Sequence, residues 1–282
     1  MVQKVSVWKA EEERTLSWKQ GMGKEKIKQW TATEQYRKIG EGAFKNNTKL
    51  KSVVLPEHVK EIGIQSFYNT ALREIQIDGI VRIGKEAFGN CSRLQQMKLP
   101  ETIQYMGKRA FVQCRKLEFI EFAPNALCSE IRTETFLECN SLKEILLPEK
   151  LQKIGNRAFY KCLALEDISF PAGLTEIGME AFYQTGLKDL KFSPNLVKIG
   201  EKAFFKCNQL EHVIIPEHVK VIEKWVFHGC NRLKVLEIPG EPEQIGPWII
   251  NRSARIRCKK GGTVDRYCQE SGFEVEYISS VK

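Results

Sequence analysis

The chain has 282 residues, 42% of them hydrophobic and 28% charged, and this balance excludes a chain that is disordered throughout. Its longest apolar stretches run four to six residues, far short of the roughly 20 that cross a bilayer, so we expect no membrane insertion. A formal charge of +9 suits an acidic partner such as nucleic acid, but charge alone does not select one.

The first 35 residues lie outside the repeating pattern that follows them. The opening stretch MVQKVSVWKAEEERTLSWKQ carries charges where a signal peptide needs an apolar centre, so we expect a cytoplasmic protein. The alternative is a secreted or cell-surface protein whose leader has been removed. Trp8, Trp18 and Trp30 favour a capping segment, residues 1–35, that covers the open end of a stacked core, over a ligand site.

Phenylalanine then recurs at spacings of 21 to 25 residues. Isoleucine stands five residues before most of these positions and glycine usually follows it, so each unit is built on the motif IGxxAF. Either an unusual backbone angle or a close approach that a β-carbon would hinder explains this glycine. The repeat phenylalanines are Phe44, Phe67, Phe88, Phe111, Phe136, Phe159, Phe182, Phe204 and Phe227.

Between these motifs, apolar and polar residues alternate over short segments such as LREIQID, LKEILLP, LEDISFP and LKDLKFS, and this alternation predicts short strands. Proline closes most of the segments, where its missing N–H would end a strand. One unit cannot enclose its own apolar side chains, but stacked units bury them continuously. The sequence therefore predicts a mainly β solenoid of stacked parallel strands and short helical turns, with about nine to ten coils of about 23 residues.

The unit LxxIxLPxxVxxIGxxAFxxC resembles the BspA-type leucine-rich repeat, a bacterial and sometimes protist family, across residues 36–256. The resemblance implies a leucine-rich-repeat solenoid, although proline follows the strand here and no asparagine ladder stands in the position of the LxxLxLxxN pattern. The tail ARIRCKKGGTVDRYCQESGFEVEYI resembles the strand, short helix and final strand that often cap such proteins, so residues 257–282 form a predicted C-terminal cap. Such repeats resemble interaction and adhesion modules with diverse partners.

The histidines do not form a catalytic or metal site in this arrangement. His58 and His218 occupy the same slot seven repeats apart, roughly 34 Å at about 4.8 Å per stacked strand, so they cannot share a metal. Only His212 falls on the open strand face, and no acid or nucleophile accompanies it at a suitable spacing. P-loop, GxGxxG and GxSxG motifs are absent from the sequence. We predict a protein that is not an enzyme, with no catalytic residues and no cofactor.

Most of the cysteines belong to the repeat. Six of nine fall three residues after a repeat phenylalanine, and Asn47, Thr70 and Thr185 fill this small, buried slot in other units. No CxxC pair occurs, so we predict no metal site. Parallel side chains in successive coils have poor bridging geometry, which favours free thiols and a reducing compartment. A disulfide between Cys258 and Cys268 of the cap remains an alternative.

In each strand segment the third and fifth residues should point outward, because side chains alternate across a strand. These two columns hold six carboxylates and two lysines on a chain that is basic overall. Adjacent carboxylates about 5 Å apart repel by roughly 0.8 kcal/mol in water, and we expect Lys143 and Lys188 to relieve this. Exposed apolar residues among charges are typical interface anchors. The predicted partner-binding residues are Glu74, Phe119, Glu121, Glu144, Leu146, Asp167, Asp189, His212 and Ile214.

The columns predict a monomeric, non-catalytic module that binds a protein or peptide with a basic or amphipathic surface through this face. A solvated face of mixed charge explains them equally well. Another alternative is an architectural segment of a larger cell-surface adhesin. Nucleic acid is a less favoured partner, but the positive charge leaves polyanion binding open, through the basic side formed by Lys60, Arg82, Lys108, Arg109, Lys153, Arg157, Lys198, Lys202 and Lys220.

Overall fold

The computed structural model describes residues 14–22 and 27–278, which form about eleven stacked coils. Trp8 and the other residues of the N-terminal segment up to residue 13 lie outside this described part. Within it, every paired strand runs parallel to its neighbour one coil away, as in the pairing of Ile154 with Ile177. The predicted solenoid of stacked parallel strands is therefore confirmed.

Strands of mostly three or four residues stack on one side of the coils, and we call this side the strand face. Pairing keeps equivalent residues opposite each other, so that Phe119 lies between Gln96 and Glu144. These strands are β2 (Gln29–Thr31), β4 (Ser52–Leu55), β6 (Glu74–Ile77), β8 (Gln96–Leu99), β10 (Phe119–Phe122), β12 (Glu144–Leu146), β16 (His212–Ile214), β18 (Val235–Ile238), β20 (Arg255–Cys258) and β21 (Val275–Tyr277).

Two-residue strands form a second column in sheets of five and six strands. Each ends on an apolar residue, which is buried in every strand except at Ile245, and the residue before it faces outward. These strands are β1 (Thr15–Leu16), β3 (Lys38–Ile39), β5 (Glu61–Ile62), β7 (Arg82–Ile83), β9 (Tyr105–Met106), β11 (Glu130–Ile131), β13 (Lys153–Ile154), β14 (Glu176–Ile177), β15 (Lys198–Ile199), β17 (Val221–Ile222) and β19 (Gln244–Ile245).

The strand face is not one continuous sheet. It divides into sheets of three, three and four strands, and the segments LEDISFP and LKDLKFS, which we predicted as strands, form none. In each, an aspartate accepts a hydrogen bond from the next N–H at 2.8 Å, Asp167 from Ile168 and Asp189 from Leu190. A side chain that bonds the local backbone competes with strand pairing, which explains the wrong prediction at these two segments.

The nine repeat phenylalanines stack through the interior and are at most 2% exposed. Their ring centroids lie 5.0–5.5 Å apart with interplanar angles of 1–18°, a spacing at which aromatic pairs attract. Trp30 packs over the first ring of the stack, 5.0 Å from Phe44, whereas Trp18 is half exposed. The predicted inward position of these phenylalanines is confirmed.

The repeat glycine and cysteine each have a clear structural role. A β-carbon on Gly84 would lie 2.6 Å from backbone atoms of the preceding coil, so close approach explains this glycine. Each repeat thiol donates to the phenylalanine carbonyl of the preceding coil, as Cys139 does to Phe111 at 3.1 Å. In the same slot, the Thr70 hydroxyl donates to the Phe67 carbonyl at 3.0 Å. All nine cysteines are buried free thiols, so the alternative cap disulfide does not form.

The connections between strands are tight turns, and the described residues contain two helices, α1 (Trp18–Met22) and α2 (Thr263–Ser271). Most coils pass through the left-handed backbone region twice, for example at Arg109 and Gln113 with φ near 60°. At the C-terminal end, β20, α2 and β21 follow in order, which is the predicted strand, helix and strand. Neither helix of the described chain is long and apolar enough to cross a membrane.

Candidate protein-binding face

The predicted binding residues all lie on outward positions of the strand face. In β12, Glu144 and Leu146 are exposed while Ile145 between them is buried, and the same alternation holds in β8 and β16. Leu146 is 45% and Ile214 48% exposed. Phe119 and Glu121 are half-buried, and the other predicted carboxylates and His212 are exposed. The residues are therefore available to a partner, but their binding role stays a prediction.

The structure brings part of this set together at one cleft. The cleft encloses about 460 Å³ between residues 143–147 and 167–169, where the sheet is interrupted. Glu144, Leu146 and Asp167 line it, and strand pairing places Phe119 and Glu121 opposite Glu144 and Leu146. The remaining predicted residues, Glu74, Asp189, His212 and Ile214, do not line this cleft and lie on other coils of the same face.

Four carboxylates of this face form no ion pair within the described chain: Glu74 and, on three successive coils, Glu144, Asp167 and Asp189. Our expectation that Lys143 and Lys188 relieve their repulsion is wrong. Lys143 pairs with Glu118 at 2.7 Å and Lys188 with Glu166 at 2.5 Å. These lysines stand one residue before the carboxylate column, and in that slot they meet glutamates of the preceding coil. The three adjacent negative charges are left for solvent or a partner to neutralise.

A second set of charges, which sequence reasoning missed, is neutralised within the fold. We call it the charge ladder: Gln65, Glu86, Arg109, Glu134, Arg157 and Glu180, each two residues before a repeat phenylalanine. Arg109 contacts Glu86 at 3.0 Å and Glu134 at 2.7 Å. Arg157 contacts Glu134 at 3.8 Å and Glu180 at 2.6 Å, which raises the pKa of this guanidinium. The sequence does contain a signal for this ladder, because acidic and basic residues alternate at this one position of successive units.

Pairing also reduces the positive charge of the basic side. Six of its nine predicted residues form ion pairs, which include Lys153 with Glu176 at 2.8 Å and Lys198 with Glu223 at 2.7 Å. Of the other three, Arg82 stacks its guanidinium over the ring of Tyr105, 4.3 Å from the centroid. Less of the net charge is therefore available to a polyanion on this side than the sequence suggests.

His58 and His218, which were predicted to lie too far apart to share a metal ion, stand on different coils. His58 contacts Glu34 at 3.5 Å and the Thr33 carbonyl at 3.2 Å. Among the described residues, no group of three or more histidine, cysteine, aspartate or glutamate side chains is placed to hold a metal ion.

The stacked coils, the repeat and the open strand face define a leucine-rich-repeat solenoid. The family model of the BspA type leucine rich repeat region matches residues 22–127 and 129–257, and the chain belongs to this family. The family generally provides protein-interaction or cell-surface modules and is typically non-enzymatic. Comparison with curated proteins gives no significant match.

Several solved bacterial structures are similar to this chain. A leucine rich repeat protein of T. pallidum is 25% identical over 88% of this chain and 94% of its own, with a TM-score of 0.49. A leucine-rich repeat protein of Bacteroides ovatus is 24% identical over 91% of this chain and 85% of its own, with a TM-score of 0.39. The pneumococcal vaccine antigen PcpA is 18% identical over 90% of this chain and 80% of its own, with a TM-score of 0.46.

Proposed function

We propose that the protein is a non-catalytic interaction module that binds a protein or peptide with a basic or amphipathic surface through the strand face. One observation carries the proposal. Glu144, Asp167 and Asp189 are exposed and without ion pairs in the described chain, and Glu144 and Asp167 line the same cleft as the exposed side chain of Leu146. The extended surface of a solenoid is usually where it binds.

The cost of this arrangement supports a functional role. Neighbouring like charges destabilise a fold, and the charge ladder shows that this solenoid can pair charges between coils when only stability is at stake. A partner that brings cations to the three carboxylates would relieve their repulsion and gain attraction at the same time. Apolar contact with Leu146, and with Ile214 further along the face, would add the desolvated anchors on which affinity usually depends.

The test removes charge without removing hydrogen bonds. In a Glu144→Gln/Asp167→Asn/Asp189→Asn variant, the asparagine oxygens can still accept the N–H bonds of Ile168 and Leu190. Immobilised wild type and variant are exposed to lysate, and bound proteins are identified by mass spectrometry. We expect the wild type to retain proteins with basic segments, released by salt, and the variant to lose them.

A matched control removes three carboxylates elsewhere. Glu57, Glu101 and Glu149 follow the corner prolines and are exposed, and their replacement by glutamine makes the same change in net charge. This Glu57→Gln/Glu101→Gln/Glu149→Gln variant should retain the wild-type partners. If both triple variants keep the same partner list, the strand face is not the binding surface, and the architectural alternative gains support.

Polyanion binding through the basic side has less support, because most of its cations are paired within the fold. It predicts steep loss of affinity with salt for heparin or an oligonucleotide. Absence of binding at low salt would eliminate it.

A further inference from the structure

A groove lies away from the strand face, at a corner where the chain turns from the phenylalanine segment into the next strand segment. At most corners the next leucine stands six positions after the repeat phenylalanine, but Leu187 stands only five positions after Phe182. A β-carbon on Gly186 would lie 2.5 Å from the Leu163 carbonyl oxygen, so this glycine allows the shortened chain to sit low against its neighbour. The result is a corner groove of about 630 Å³.

Lysines stand on both sides of this corner groove. Lys161 is held 5.5 Å over the Tyr160 ring and Lys206 5.6 Å over the Phe205 ring. Neither lysine forms an ion pair with another described residue. At the far end of the groove, Arg115 approaches Glu138, with their nearest charged atoms 3.9 Å apart. Two cations oriented by aromatic rings thus remain unneutralised across the groove.

The other shortened corner of the chain shows that this arrangement is local. From Phe67 to Leu72 the chain also takes five residues, but the slots of the two lysines hold asparagines. Asn69 donates to Asn46 and Asn90 donates to Asn69, both at 3.0 Å, so the amides satisfy one another. Two ammonium groups cannot do so, because both are donors only. The lysine corner therefore presents two ammonium groups that the acceptors of a ligand can reach.

The surroundings of the groove select among anionic ligands. Tyr160 stacks on Tyr183 at 4.6 Å and Tyr183 on Phe205 at 5.2 Å, so these rings cover one another's faces. Nucleobases and sugars need free ring faces to stack on. Leu163, 54% exposed, instead lines the groove as an apolar contact. We propose that the corner groove binds a short acidic peptide segment, with carboxylates for the lysines and an apolar residue for Leu163.

The solenoid period also sets the spacing of the ligand. Lys161 and Lys206 stand two coils apart, roughly 9.6 Å at about 4.8 Å per stacked strand. A peptide in the polyproline-II conformation advances about 3.1 Å per residue and completes a turn every three residues, so carboxylates three residues apart point to the same side and match this distance. The recognised segment therefore has two acidic residues separated by two other residues, at least one of which is apolar. This site is separate from the strand face and binds the opposite charge.

The test uses fluorescent peptides with a Gly-Asp-Leu-Leu-Asp-Gly core, a library in which the central pair varies among apolar residues, and amide versions with asparagine for aspartate. Binding is followed by anisotropy with the wild type, with Lys161→Asn/Lys206→Asn and with a control of equal charge, Lys108→Asn/Lys150→Asn. We expect saturable binding of acidic peptides only, at least about tenfold weaker in the first variant and unchanged in the control. The backbone amide signal of Gly186 should shift on binding.

Three results would overturn the proposal. Equal affinity in both variants would remove the lysines from the site. Failure of every acidic peptide in the library to bind the wild type would remove the site itself. Binding of oligothymidine or a heparin fragment, with none of the peptides, would refute the ligand class. Folding of each variant is checked by its thermal midpoint, and the natural asparagine corner indicates that asparagine is tolerated in this slot.

Discussion

The charge ladder and one column of the strand face repeat with the same period, but charges are paired in the ladder and unpaired in this column, although other charges of the strand face, such as Lys98 and Glu121, do pair between coils. In the ladder, acid and base alternate between coils, and Arg157 bridges Glu134 and Glu180. On the strand face, Glu144, Asp167 and Asp189 follow one another with no cation within ion-pair distance in the described chain. A stacked fold therefore neutralises charges by alternation across units, and a column of one sign marks where the fold has not done so.

The largest effect concerns the core beneath both columns. Phe159 is fully buried between the rings of Phe136 and Phe182, 5.3 and 5.0 Å away. Its replacement by alanine should lower the free energy of unfolding by about 3 to 5 kcal/mol, since a cavity remains. Denaturant unfolding measures it, with the exposed Leu163→Ala as control. Equal midpoints for Phe159→Ala and wild type would refute the stacked core.

Removing a cation from the charge ladder should cause the second-largest loss of stability. Arg157→Ala leaves Glu180, with its side chain 12% exposed, without its cation, while Glu134, 17% exposed, keeps Arg109 as its only cation. We expect a loss of about 1 to 2 kcal/mol, reduced from a buried pair because the arginine itself is partly exposed. Arg93→Ala, at an exposed site, should change stability by less than about 0.5 kcal/mol. If both substitutions have the same effect, the ladder is not structural.

The cysteine column should make the core sensitive to alkali. Burial raises the pKa of Cys139 from 9.0 to about 12, so the folded state keeps a proton that the unfolded state releases. This stabilisation is complete below about pH 9 and is lost as pH rises toward about 12. Between neutral pH and about pH 10, the wild type should lose about 1 kcal/mol more than Cys139→Thr, since threonine does not titrate. If the free energy of unfolding falls equally with pH in the two proteins, this pKa is contradicted.

The smallest effect distinguishes the strand face from the ladder. Neutralising Glu144, Asp167 and Asp189 should leave stability unchanged or raise it by a few tenths of a kcal/mol, below the limit of about 0.8 kcal/mol per adjacent pair in water. The gain should shrink with added salt because exposed charges are screened. Thermal midpoints at low and high salt measure it. A clear loss of stability would mean that these carboxylates have structural partners.

The sequence was sufficient for the features that every unit repeats. Phe159 and Ile154 were predicted inward because a stack of identical coils needs the same apolar slot filled each time. The strand breaks at Asp167 and Asp189 were not, since a side-chain bond to the next N–H has no periodic signature. The division into residues 1–35, 36–256 and 257–282 remains a prediction.

At the candidate site, the main error of the sequence-based prediction was the choice of ion-pair partners. Lys143 was assigned to a carboxylate beside it in sequence, whereas it reaches Glu118 on the preceding coil. Arg109 was assigned to a free basic side, whereas Glu86 and Glu134 hold it from both neighbouring coils. In a solenoid, side chains in the same slot of adjacent units are the nearest neighbours, so charges must be compared unit by unit. The corner groove was missed because it depends on the approach of Gly186 to Leu163.

Hydrogen exchange of the complex with a captured basic partner tests the central claim most directly, that the unpaired column binds and the ladder does not. Binding should slow amide exchange in residues 143–147 and 165–170, around the cleft of the strand face. Exchange around Arg109 and Arg157 of the ladder should stay as in the free protein. Protection confined to the ladder, with none at the cleft, would contradict the account.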